Sequence, residues 1–228
     1  MRRLIVILAA LSVLFVGTFP CSAAGEVIYR ATVETDQLRI ALTFDDGPHP
    51  KYTPQILDIL KEYGIKATFF CVGTNVELYP ALVERIAAEG HELGNHTHHH
   101  NHVLKMSTAD LRTDIGACSE ALERTIGRPT RFFRPPEGVC NDAVKKICSE
   151  LGMTVVMWSV DTRDWAHPTV AEICKNVRTN TRNGSIILMH DFIGKNSPTP
   201  EALRQIIPML QALGFEFVTV SQLLSDQA

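Results

Sequence analysis

Seven short strand-like segments, most of them apolar runs, separated by segments whose apolar residues recur at helical spacing, constrain the fold of this 228-residue chain more than any other feature. The segments cover 39–44, 67–72, 91–95, 130–134, 154–160, 185–189 and 215–220. Between them, residues 52–63 place Ile56, Ile59, Leu60 and Tyr63 on one helical face, and Gly64 stops that helix. The same logic predicts helices over 77–89 (ended by Gly90), 107–126 (opened by Ser107), 141–152 (opened by Asn141), 169–178 (opened by Thr169) and 200–213 (ended by Gly214). A short helix capped by Ser221 closes the chain. Strands that alternate with helices make a parallel sheet with the helices outside. One α/β domain with seven such units and no repeats, linkers or low-complexity tracts predicts a barrel smaller than the eight-fold one. In such barrels the chemistry sits at the C-terminal ends of the strands.

The start of the chain obeys other rules. Arg2-Arg3, an apolar stretch from Leu4 to Val16 broken only by Ser12, and the small residues Cys21-Ser22-Ala23-Ala24 form the three parts of a secretory signal. Cleavage is expected after Ala23 or Ala24. The alternative is an uncleaved anchor, for which the apolar run is short. The predicted layout is a signal peptide at 1–24, a lead segment at 25–38, the folded domain at 39–220 and a tail at 221–228. Cleavage removes two arginines and no acid, which makes the formal charge of −3 more negative by two. No basic run appears, so nucleic acid is excluded as an expected partner. The mature protein is expected to be secreted, associated with the cell envelope, monomeric and without a stable membrane span. Five cysteines remain after Cys21, an odd number that leaves at least one thiol unpaired. They read as small buried hydrophobes, with a disulfide between neighbouring helices left open.

Polar residues cluster where the strands end. Thr43-Phe44-Asp45-Asp46-Gly47-Pro48 sets two adjacent carboxylates after an apolar run, a costly arrangement unless a cation or proton relieves it. A solvated Asp-Gly turn is the plainer reading. Asn95-His96-Thr97-His98-His99-His100-Asn101-His102 holds two i,i+4 histidine pairs, His96/His100 and His98/His102. Either pair on a helical turn would put two imidazoles at chelating distance, and a polar loop is the alternative. Phe133-Arg134-Pro135-Pro136-Glu137-Gly138 is a rigid turn whose Arg can orient a carboxylate. In Val160-Asp161-Thr162-Arg163-Asp164-Trp165 an Asp beside a Trp can hold a His while the indole walls a sugar-sized groove; an Asx turn is the alternative. His190 follows the run Ile186-Ile187-Leu188-Met189 in the same layer.

Taken together and in this order, these five clusters resemble the motifs of the NodB-homology polysaccharide deacetylases, carbohydrate esterase family 4. The resemblance runs from about Arg39 to about Val220. It implies a distorted (β/α)7 barrel and a metal-dependent hydrolase acting on carbon–nitrogen bonds other than peptide bonds. It further implies Asp46, His96 and His100 as ligands of one divalent metal, zinc first, with cobalt or manganese as alternatives. Asp45 would be the general base, Arg134 its orienting partner, and His190 the general acid tuned by Asp164. Leu188 and Trp165 would line the pocket for the acetyl methyl, and a backbone N–H near Glu137 would hold the oxyanion. The histidine spacing itself leaves His98/His102 open. Thr97 and the distance from Gly94-Asn95 favour His96/His100. The family commonly has an aromatic residue where this chain has Glu137, so the substrate face is expected to differ there. The expected substrate is an acetylated polysaccharide, with peptidoglycan first among N-acetylhexosamine polymers. An O-acetyl esterase on xylan is the close alternative, and a non-catalytic wall- or metal-binding protein the distant one.

Overall fold

Three residues decide the shape of the sheet. In this computed structural model, which describes residues 25–34, 37–194 and 196–225, the chain runs β1 (Val27–Ile28), β2 (Leu38–Asp45), α1 (Tyr52–Glu62), β3 (Thr68–Cys71), α2 (Gly73–Leu78), α3 (Pro80–Ala88), β4 (Glu92–Asn95) and α4 (Thr108–Ile126). It continues through β5 (Phe132–Phe133), α5 (Asp142–Glu150), β6 (Thr154–Val156), β7 (Val160–Asp161), α6 (Val170–Asn180), β8 (Ile186–His190), α7 (Thr199–Ala212), β9 (Phe215–Val218) and α8 (Val220–Ser225). The strands order as β1-β6-β5-β4-β3-β2-β8-β7, all parallel, with β9 on the first half of β2. β6 and β7 lie near opposite ends of that order, yet only Met157, Trp158 and Ser159 separate them. Three residues reach roughly 10 Å, so the sheet has to curl into the distorted (β/α)7 barrel. The expected signal peptide and the last three residues of the tail lie outside the described residues.

β2 shows why the apolar runs are continuous. Every residue from Ile40 to Asp45 is buried, because both faces of a parallel sheet are covered. Ile40, Leu42 and Phe44 pack outward with Ile56, Leu60, Leu203 and Ile207 of α1 and α7. Ala41 packs inward with Phe70, Val156, Ile186 and Val218. The inward rungs pair Ala41 with Ile186, Thr43 with Leu188 and Asp45 with His190. The barrel interior is therefore apolar low down and polar at the C-terminal end. Gly94 makes this layer possible: a Cβ there would come within 2.5 Å of the Phe70 ring.

Three sequence expectations need correction. The lead segment contributes β1, which pairs with β6 through Val27↔Val155 and Ile28↔Val156. Two apolar residues are too few for a periodic signal. The expected strand 154–160 is two strands, because the Val156 and Met157 carbonyls leave the ladder to accept from Arg134 at 2.9 and 3.0 Å. The expected helix 77–89 breaks at Tyr79, where Pro80 starts α3 at its first turn. All five described cysteines are free, and Cys71, Cys118 and Cys148 are buried among apolar side chains. Among the described residues no helix is long and apolar enough to cross a membrane.

Candidate active site

The end of β2 delivers Asp45 inward, and the chain after β5 delivers Arg134 to meet it. Arg134 is fully buried. Its Nη1 donates to Asp45 Oδ1 at 2.7 Å and to Thr43 Oγ1 at 2.8 Å, and its guanidinium lies 4.1 Å from the Phe70 ring centroid. Burial pulls the guanidinium below its usual pKa, and Asp45 opposes that shift. Such a pair is tolerated only with its remaining donors satisfied. Here the Val156 and Met157 carbonyls satisfy them. Asp45 is thereby clamped through Oδ1, while its Oδ2 faces His96 Nε2 at 3.8 Å.

Asp46, His96 and His100 converge next to it, each offering one ligand atom within 4.8 Å of the others. Asp46 Oδ1 lies 3.3 Å from His96 Nε2 and 3.1 Å from His100 Nε2. That oxygen is buried without a hydrogen-bond partner. His96 Nδ1 donates to the Arg134 carbonyl at 2.7 Å, which fixes the tautomer with the Nε2 lone pair toward Asp46. Burial raises the Asp46 carboxyl, but the close approach of the His100 and His96 imidazoles outweighs it and holds the group well below the usual range. An orphaned carboxylate oxygen facing imidazole nitrogens fits a divalent cation of borderline character.

The histidines do not ride a helical turn. Residues 96–101 form a loop in which Thr97 and His100 take positive φ, 65° and 55°. Side chains impose that path: Asn95 Oδ1 accepts from Thr97 N–H at 2.8 Å, and Thr97 Oγ1 accepts from His100 N–H at 3.0 Å. The rival pair points elsewhere. His98 faces Glu77 (3.7 Å) and His102 faces Glu137 (3.4 Å).

Across the barrel mouth, His190 Nδ1 donates to Asp164 Oδ1 at 2.7 Å. Asp164 is fully buried, and its Oδ2 accepts from His190 N–H and Thr199 Oγ1 at 2.8 and 2.7 Å. Burial lowers the affinity of His190 for a proton, yet Asp164, helped by Asp45 and Asp46, lifts it to about 9. Asp161 instead makes the Asx turn, accepting from Arg163 N–H.

The other expected site residues are distributed unevenly. Leu188 is buried one rung below His190. Trp165 is half exposed, with the Arg163 guanidinium 5.7 Å from its ring. Glu137 is exposed at φ 57° in the 3₁₀ turn Pro136–Gly138. Sequence reasoning missed Thr43, Asn95, Thr199 and Trp158. Trp158 lies 5.7 Å from the Arg134 guanidinium and leaves no room for a Cβ on Gly138, which would sit at 2.7 Å. An indole inside an otherwise apolar run was its only signal; Thr199, 35 residues from Asp164, had none.

A family model described as polysaccharide deacetylase matches residues 32–156. A peptidoglycan-N-acetylglucosamine deacetylase of Bacillus cereus is 45% identical over 194 residues, covering 84% of this chain and 91% of the relative. The chain belongs to the polysaccharide deacetylase family. A crystal structure of the Bc1960 peptidoglycan N-acetylglucosamine deacetylase superimposes with a TM-score of 0.84 at 37% identity, covering 90% of this chain and 94% of that one. A family 4 pseudoenzyme of Bacillus anthracis also superimposes, with a TM-score of 0.82 at 30% identity over 90% of this chain and 70% of that one. A polysaccharide deacetylase scaffold alone therefore does not guarantee catalysis, which depends on the side chains at the strand ends.

Proposed function

We propose that this protein is an exported, metal-dependent N-deacetylase, acting as a monomer on N-acetylhexosamine residues of cell-wall peptidoglycan and releasing acetate. One observation carries the reading: Asp45 is clamped by buried Arg134 through one oxygen and presents the other to the Asp46, His96 and His100 cluster. The peptidoglycan assignment is supported by the 45%-identical relative, a peptidoglycan-N-acetylglucosamine deacetylase. Export is supported by the signal-like first 24 residues.

Asp46, His96 and His100 would hold the cation, zinc in the first instance. When bound, a divalent cation polarises the acetamide carbonyl and makes a water acidic. The chain's own residues do the rest. Arg134 aims Asp45 by holding its Oδ1, so Asp45 accepts the proton of the attacking water through the other oxygen. The N–H of Glu137 stabilises the negative oxygen of the tetrahedral species. His190, protonated up to about pH 9 and held by Asp164, gives its proton to the departing sugar amine. Leu188 floors the space for the acetyl methyl, and Trp165 offers an exposed face to the glycan. Glu137, whose side chain is exposed beside His102, tunes substrate choice rather than the chemical step.

Incubation of the metal-loaded mature protein with peptidoglycan, chitin oligomers and acetylated xylan tests this, with acetate and new primary amines measured together. Equal release of both from peptidoglycan is expected. Acetate without amines, from xylan alone, would make the protein an O-acetyl esterase. No product from any glycan would leave a binding protein.

A further inference from the structure

Past Asp45, the last residue of β2, no strand holds the loop that carries Asp46. Three donors hold it instead. Asp191 N–H donates to the Asp45 carbonyl at 3.2 Å, Asn75 Nδ2 to the Asp46 carbonyl at 2.8 Å, and Val72 N–H to the Gly47 carbonyl at 2.9 Å. Asp46 itself sits at φ 75°, a conformation that a side chain with a Cβ resists. Its aim at the cluster is therefore imposed from outside the loop.

Asp191 lies directly beneath. It is buried and takes no part in the reaction described above. Its Oδ2 accepts from Thr53 Oγ1 at 2.5 Å, and Thr53 Oγ1 accepts in turn from His49 N–H at 2.7 Å. A Cβ on Gly47 would stand 2.0 and 2.2 Å from the two Asp191 oxygens, so the carboxyl occupies the space that a side chain at 47 would need. Through its N–H it holds the loop at Asp45, through its carboxyl it abuts Gly47, and through Thr53 it holds the loop at His49. Its Oδ1 has no partner, a cost that a merely space-filling residue would not carry.

We propose that Asp191, acting through Thr53, is a positioning residue that sets the Asp45-Asp46-Gly47 backbone so that Asp46 meets His96 and His100 around a divalent cation. This rests on the metal-dependent reading given above. Asp191 is a positioning residue because it touches the loop backbone and neither the cation ligand atoms nor substrate. Loss of an oriented supporting contact at a metal site costs roughly 10–100-fold in affinity.

Zinc affinity, measured by competition with a chromophoric chelator, separates positioning from mere packing. The variants are Asp191→Ala, Asp191→Asn, Thr53→Val, Thr53→Ser and the double variant Asp191→Ala with Thr53→Val, each checked for folding by circular dichroism without zinc. Asp191→Ala and Thr53→Val should each weaken zinc binding about tenfold or more. The double variant should be no weaker than the worse single, because both changes break one relay. Thr53→Ser keeps the hydroxyl and Asp191→Asn keeps the shape and one acceptor, so both should return to within a few-fold of the parent. If Asp191→Ala does not fold, the Thr53→Val and Thr53→Ser pair decides alone. Parental affinity in folded Thr53→Val, equal loss in Thr53→Ser, or additive losses in the double variant would overturn the proposal. A parent that binds no zinc would instead overturn the functional reading beneath it.

Discussion

Asp45 and His190 sit side by side on β2 and β8, and their partners give them opposite roles. Arg134 holds Asp45 as an acceptor, and Asp164 holds His190 as a donor. Asp45→Asn keeps an oxygen for Arg134 but cannot take a proton. It should bind one equivalent of zinc and lose roughly 10²–10⁴-fold in kcat; loss of the metal in this variant would make Asp45 a ligand instead. Asp164→Asn removes the charge that lifts His190 to about 9. The alkaline limb of the pH–rate profile should then move toward neutrality by more than one pH unit. The stability sign follows the same shift. A raised folded pKa contributes stability below the unfolded value of about 6.5, and that contribution fades as pH rises through about 9. Urea unfolding of the parent and Asp164→Asn should therefore differ most at acidic to neutral pH and converge above 9.

At the scale of elements, the loop after β4 shows what sequence can and cannot say. The i,i+4 spacing of His96 and His100 pointed to two convergent imidazoles, and they do converge. The helix assumed to bring them together is absent, because two positive-φ residues achieve the same approach under the control of Asn95 and Thr97. Period alone cannot distinguish these routes. Asn95 is buried, and its Nδ2 also ties the loop to α4 through the Ile115 carbonyl and Ser119 Oγ, both at 2.8 Å. Asn95→Ala should cost about 1–3 kcal/mol in urea unfolding, the penalty for buried groups left unpaired, and should weaken zinc binding as well. Wild-type zinc affinity in that variant would show that the loop keeps its shape without Asn95. The strand–helix alternation was legible for a simple reason: most of the strands, buried on both faces, read as apolar runs, as β2 and β8 do. β1 was not, since two residues carry no period. Nor was the break between β6 and β7, since Arg134 makes it from 20 or more residues away.

For the whole molecule, curling the sheet brings the ends of β2, β4, β5 and β8 and the turn after β7 to one mouth, where clusters far apart in sequence become one site. Which clusters meet was legible through the order of motifs. Which atoms touch was not, because Thr199 on Asp164 and Thr43 on Arg134 are contacts between distant segments. The central claim is that Asp46, His96 and His100 hold a cation on which hydrolysis depends. The most direct measurement is acetate release from peptidoglycan by protein stripped with chelator and then titrated with Zn²⁺ or Co²⁺, in the parent and in His96→Ala, His98→Ala, His100→Ala and His102→Ala. The account predicts no release without metal, full recovery near one equivalent in the parent, and strongly weakened metal binding for His96→Ala and His100→Ala only. Undiminished turnover in metal-free protein, or loss of metal with His98→Ala and His102→Ala instead, would contradict it.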